Sequence, residues 1–466
     1  MVDTPVAFTS DAARSLGGPE WLVSSRLEAL KRFAEAPSPP LDEDLWRYGR
    51  VGEIDLDEYV PAGAFGPDPT GPGDAEPERR APSLAGPDGS IVRSLLERLG
   101  EVSAVAVVVD GALASVELDP DAASGGTRLS GVRDSDGGEG GLRRPPWVDE
   151  VAEANRESGK EEHLPDIFDH LGDAFRRDLV LISVPDGTTV EHPVVVAHLI
   201  GATQVGVAPA CFPRTVVSLG EGAGATVVEI YVSRAGRVLV APTTDLSVGD
   251  GSVLVHLALQ QLGDGAFMLA HQRARAGRDA TLRTFTASLG GEYSRVRTES
   301  VLAGRGGSAE LLATYLGDGT QVHDFRTLQE HGAPRTTSDL VFKGAVSDHA
   351  RSVYSGNIRM RHGAKGAVAF QTNRNLVLSD GAHADSVPNL DIEENDVRCS
   401  HASAVGQIDP EQRFYLESRG VPAKVADRLI LLGFFEELWQ RLSLASVRAH
   451  LVEAVAGRLE AVDTGE

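Results

Sequence analysis

Cys399, Ser400 and His401 place a soft thiol and an imidazole two residues apart. On a β-strand such positions point to the same side. The pair therefore offers one sulfur and one nitrogen ligand to iron, or a thiol made more nucleophilic by a neighbouring base. The plainer alternative is a small buried hydrophobe beside a hydrogen-bonded ring. Two ligands leave a metal or cluster site incomplete, so an active pair needs the remainder from a partner chain, a substrate or water. Only a neutral imidazole binds iron, and acidification through the histidine range weakens any site built on His401.

The rest of the chain narrows the chemistry. Its 466 residues hold two cysteines, too few for a disulfide framework or an all-cysteine cluster site, and this usage fits a reducing cytosol. The second, Cys211, precedes Phe212 and Pro213 and reads as structural. His323, His331, His349 and His362 match no common metal spacing and stay unassigned. Asp391, Glu393 and Glu394 read as a solvated face. No phosphate-binding Gly-x-x-x-x-Gly-Lys-Ser/Thr loop, Gly-x-Ser-x-Gly elbow or His-Glu-x-x-His helix occurs. A net charge of −24, from 68 acidic and 44 basic side chains, argues against nucleic acid and anionic membranes as partners. With no basic-then-apolar leader and no membrane-length apolar run, a soluble cytoplasmic protein is expected.

The elements that position these residues fall into four stretches. Residues 1–62 form a helical head, where Trp21, Leu22, Leu27 and Leu30 recur at helical spacing before the Pro-Ser-Pro-Pro run at 37–40. Residues 63–175 read as an acidic, Gly/Pro-rich insertion with small α/β elements. Within it, loops or linkers at 63–89 and 119–144 surround a helix and strand at 90–117, and a helical patch follows near 147–176. In 176–404 short strands alternate with Gly and Asp turns. Ala225, Ser252, Ala280 and Ala309 return at nearly constant intervals, with further segments starting near Ala350 and Ala367. The class is mainly β, and a parallel β-helix, or solenoid, explains the period best; a β-sandwich with evenly spaced turns is the competitor. Residues 405–466 turn helical: Asp409 caps, Pro410 opens, Gln412 stands at the capping-box position, Gly420 closes, and a longer helix starts at Pro422. Its apolar residues form two adjacent rows, Val425, Leu429, Leu432, Phe435 and Trp439, then Ala426, Ile430, Phe434 and Leu438. That face is wide enough both to pack on the β-core and to dock another protein.

The stretch from Gln371 to Gly381, through Cys399-Ser400-His401 and Val405-Gly406-Gln407-Ile408-Asp409, to Glu411–Gly420 resembles the C-terminal signature of the SufB/SufD family of iron–sulfur cluster assembly scaffolds. Weaker resemblance reaches back to about residue 176, and Pro19-Glu20-Trp21-Leu22 and Trp46-Arg47-Tyr48 are similar to the family's N-terminus. Residues 63–144 depart from it. The resemblance implies a right-handed parallel β-helix between helical terminal domains, in a scaffold subunit rather than an enzyme. It implies pairing with the paralogue SufB through the β-helix. It also implies binding of the ATPase SufC, which hydrolyses the ATP, through the C-terminal helices, with Phe414, Tyr415, Arg419, Phe434, Phe435 and Trp439 as contact residues. A transient iron–sulfur cluster would form in the complex. A flavin at the level of the complex is left open, and nothing is held stably by the isolated chain, for which a homodimer is expected.

SufB-like sequences carry a cysteine in a Cys-Asp-Ser-Met context where this chain reads Leu378-Ser379-Asp380-Gly381. Cys399-Ser400-His401 instead matches the SufD-type branch, which gives His401 the principal role in cluster assembly, as an iron ligand or proton carrier, and Cys399 a supporting one. Ala402 stands where glycine is usual. Two other readings remain: a purely structural partner with no ligand, and a β-helix polysaccharide lyase or hydrolase, which needs clustered acids with an Arg or Lys on one solenoid face.

Overall fold

The computed structural model describes residues 5–37, 39–43, 46–64, 87–131, 147–148, 165–201 and 208–464. Much of the acidic, Gly/Pro-rich sequence expected as loops, at 65–86 and 132–146, lies outside them. From Val180 onward, parallel strands are laid into two sheets, alternating strictly from Thr243–Val248 to the last strand. One ends with Val322–His331, Arg351–Met360 and His383–Ile392, and the other with Thr337–Val346, Val368–Val377 and Arg398–Gly406. The result is the expected parallel β-solenoid. Pairing stays in register, so that Ala225, Leu254, Leu282, Ala309, Ser338, Ala369 and Cys399 form one column. The sequence anchors Ser252 and Ala280 stand two residues before that column. Ser252 is a corner residue whose hydroxyl accepts from Ala223 N at 3.0 Å. Corners also demand glycine by space: a Cβ on Gly304 would lie 2.0 Å from the Arg278 nitrogen.

The bore changes character along its length. Early coils are filled by Val184, Val217, Val227, Leu246, Leu254 and Ala274. In the middle, Tyr315, Phe325, Phe342 and Tyr354 pack ring on ring at 4.7 to 5.6 Å. Towards the end the interior turns polar, with Asn373 donating to the Tyr315 hydroxyl at 2.9 Å and that hydroxyl donating to Asn375 at 2.7 Å. One charged group sits in the early coils. Glu229 is fully buried and accepts from Thr215, Tyr231 and Thr244 at 2.7 to 3.0 Å, with His198 and His256 at 3.0 and 2.8 Å. Burial alone would raise its pKa, but the imidazole hydrogen bonds outweigh this and hold it well below the carboxylate range.

Helices cover both sheets. The head helix Glu20–Glu35 and helix Ile167–Phe175 belong to a layer over the first sheet, where Phe8, Phe33, Trp46 and Phe168 meet Phe267 and Tyr293. Beneath it runs a buried ionic ladder in which Asp245 accepts from Arg214 and Arg273, and Asp169 pairs with His271. Helices Pro87–Leu99, Ala423–Trp439 and Ala445–Thr464 lie on the second sheet. Strands Ala104–Val109 and Ala112–Leu118 form a hairpin whose first strand continues the second sheet, so part of the 63–175 stretch is built into the solenoid body. No helix among the described residues is long and apolar enough to cross a membrane.

Candidate functional site

Arg398–Gly406 is the last strand of its sheet, paired on one side only, with Val368–Val377. Alternation decides where its side chains go. Ala369, Gln371, Asn373 and Asn375 are buried in the bore, and their register partners are Cys399, His401, Ser403 and Val405. Cys399 and His401 thus face the bore axis together, as their spacing predicts. Cys399 is half-buried against Ile358, Met360 and Ala369, and this burial pushes its thiol up. His401 is exposed, because no further coil lies over it.

The layer beneath contains polar groups that alternation alone does not single out. Gln371, the register partner of His401, is 1% exposed; its amide N–H reaches towards the Tyr354 hydroxyl, and its amide oxygen completes no hydrogen bond. Its amide lies by the Tyr354 hydroxyl: a Cβ on Gly356 would fall 2.3 Å from both groups. The Tyr354 hydroxyl bonds to Thr327 at 3.0 Å, and burial pushes its pKa up, so it keeps its proton. Ser386, stacked in register on Tyr354, has a buried hydroxyl without a partner. The signal for these residues was parity: once Cys399 and His401 face inward, every second residue of the strand below does so too.

Among the described residues no group of three or more His, Cys, Asp or Glu side chains is arranged to hold a metal ion. The chain brings two potential iron ligands to an open rim and no third acidic, thiol or imidazole group to join them.

The C-terminal residues separate into two sets. Phe414 and Tyr415, on helix Pro410–Ser418, are 71% and 59% exposed, and the Arg419 guanidinium lies over the Tyr415 ring at 5.2 Å. Val425 and Leu429 on the next helix are also exposed. Phe435 and Trp439, expected as contact residues, are instead fully buried. They pack with Leu431, Leu438, Leu451 and the outer face of the second sheet, and Trp439 Nε1 donates to Thr314 at 3.0 Å. They anchor the tail to its own solenoid and are unavailable to a partner. Phe434 is intermediate, with the Lys343 ammonium 4.7 Å from its ring centre.

Fold and site together define a parallel β-solenoid protein that carries a thiol and an imidazole on a terminal strand paired on one side only. Residues 200–434 match the family described as SUF system FeS cluster assembly, SufBD core domain. The chain is 35% identical over 294 residues to the iron–sulfur cluster assembly SufBD family protein Rv1462 of Mycobacterium tuberculosis, covering 61% of this chain and 72% of that protein. It is 29% identical over 326 residues to the iron–sulfur cluster assembly protein SufD of Escherichia coli, covering 67% and 77%. It is 28% identical over 280 residues to SufD of Bacillus subtilis, covering 59% and 63%. The chain belongs to the SufBD family and is a SufD-like iron–sulfur cluster assembly protein of the SUF system.

Proposed function

We propose that this chain works as one subunit of an assembly scaffold, in which a SufB-type paralogue completes the open end of the solenoid and a SufC-type ATPase docks on the exposed face of the C-terminal helices. In that complex His401 binds iron through its neutral imidazole, Cys399 supports it, and the nascent cluster forms between the two paralogues. The observation that carries this reading is the placement of Cys399 and His401: side by side, facing the bore, on a terminal strand with no neighbour beyond it. A site open on one side and short of ligands is one that another chain completes. The exposed Phe414, Tyr415, Val425 and Leu429 support a docking face, since scattered single apolar residues are ordinary but a cluster at one helical corner is not. ATP hydrolysis belongs to the docked partner and any flavin to the whole complex; the complex works in the cytoplasm.

The test is anaerobic reconstitution of the co-expressed complex with iron and sulfide, comparing wild type with His401→Ala by visible absorbance and iron content. Loss of cluster from an intact complex is expected. Full cluster content in the variant would reduce this subunit to a structural partner.

A further inference from the structure

Near the open end the Gln371 amide and the Ser386 hydroxyl are buried polar groups short of hydrogen-bond partners. In a close-packed bore an unsatisfied amide or hydroxyl is destabilising, and such groups mark places where something else is bound. Gln371 borders the Tyr354 hydroxyl through the space that Gly356 leaves open, and Ser386 stands in register on Tyr354 in the neighbouring strand. Gln371 lies directly under His401 in the ladder, at the strand spacing of about 4.8 Å.

We infer that Gln371 and Ser386 are the hydrogen-bonding floor beneath the nascent cluster, donating N–H and O–H to its sulfides while His401 and Cys399 hold iron at the rim. The inference rests on the reading of His401 and Cys399 given above and adds what lies under them. The donor chemistry points to sulfide rather than to iron: both groups are neutral and carry a proton to give, whereas an iron ion would prefer the thiol and imidazole already present. Sulfides of a cluster are anionic acceptors, and hydrogen bonds to them stabilise the cluster and raise its reduction potential, the more so where water is excluded.

The experiment uses the complex with both partners, loaded anaerobically, with assembly checked by gel filtration. Gln371→Ala removes the donor and is expected to lower cluster content about threefold, whereas Gln371→Glu replaces the donor by an anion and is expected to lower it about tenfold or more. A packing role predicts instead that each variant loses cluster only as far as it lowers the melting temperature of the empty protein, since a cavity and a buried carboxylate both unsettle the bore. Ser386→Ala is expected to lower cluster content about twofold without lowering the melting temperature of the empty protein, since it deletes an unpaired buried hydroxyl. Clusters that do form in Gln371→Ala should have a more negative reduction potential. If His401→Ala retains full cluster, the parent reading fails and this one with it. If His401→Ala loses the cluster while Gln371→Glu holds as much as Gln371→Ala, the floor alone is wrong.

Discussion

The two ends of the solenoid are built on opposite principles. At the N-terminal end each sheet finishes with an antiparallel strand, Ala112–Leu118 in one and the short Arg128–Ser130 in the other, and the nearby bore is aliphatic apart from the polar cage around Glu229. At the C-terminal end the strands His383–Ile392 and Arg398–Gly406 stop without a neighbour, Leu390, Ile392 and Val405 are exposed, and the interior polar groups are only partly paired. Long exposed edges are what folded proteins ordinarily suppress. Here one end is suppressed and the other is left ready, which marks the direction in which the stack is to be continued.

Four outcomes would break or sharpen this contrast. The largest concerns the closed end: Glu229→Ala strands two imidazoles and three hydroxyls and should cost roughly 3–5 kcal/mol in urea unfolding, whereas His401→Ala at the open end should cost less than about 0.5 kcal/mol. Equal losses would mean that both ends are structural. Next, lysines at Leu390 and Val405 should weaken pairing with the paralogue about 100-fold by sedimentation without lowering the melting temperature, and Glu117→Lys on the closing hairpin should change neither. Pairing that survives the double lysine variant would place the interface elsewhere.

The third outcome is a pH profile. Burial depresses His323 to about 3 and His331 to about 4. Both are neutral when folded, while in the unfolded chain they bind protons below about 6.5. Stability therefore falls as pH drops from 6.5 towards these values, by up to about 1.4 kcal/mol per pH unit for each histidine. Glu229, depressed in its own range, adds stability at higher pH and loses it only under stronger acid. His331→Gln should flatten the profile between pH 6.5 and 4; an unchanged slope would assign acid sensitivity to other groups. The smallest effect is Phe414→Ala, expected to move the stability of the isolated chain by less than about 0.5 kcal/mol while releasing the ATPase partner in pull-down. Trp439→Ala should do the opposite, unfolding the tail's anchor.

Much of this was legible in the residues. The alternation of 224–230 and the turn spacing gave a stacked β-architecture, and the two-residue step from Cys399 to His401 gave a shared side. The recurring small residues marked the period without fixing one position in the coil: Ala225 and Ala309 stand in the inward column, Ser252 and Ala280 two residues before it. The tail helix was harder: both of its rows are apolar, and only the neighbouring sheet decides that Phe435 and Trp439 turn inward while Val425 and Leu429 stay out. The exposure of His401 was not legible at all. It depends on where the stack stops, a fact no local pattern carries. Gln371 lay inside a recognisable stretch, but its surroundings depend on Gly356 and Tyr354, on a strand of the other sheet.

Because strand pairing joins each coil only to its neighbours, the stack behaves much as a one-dimensional array that melts from its termini. The closing strands hold one terminus; the other carries the half-finished site. Cys399 and His401 consequently ride on the layer that opens first in the lone chain and is held once a partner extends the stack. Rigid ligand geometry then exists only in the assembled complex, and a stray subunit offers iron a loose pair of ligands rather than a trap.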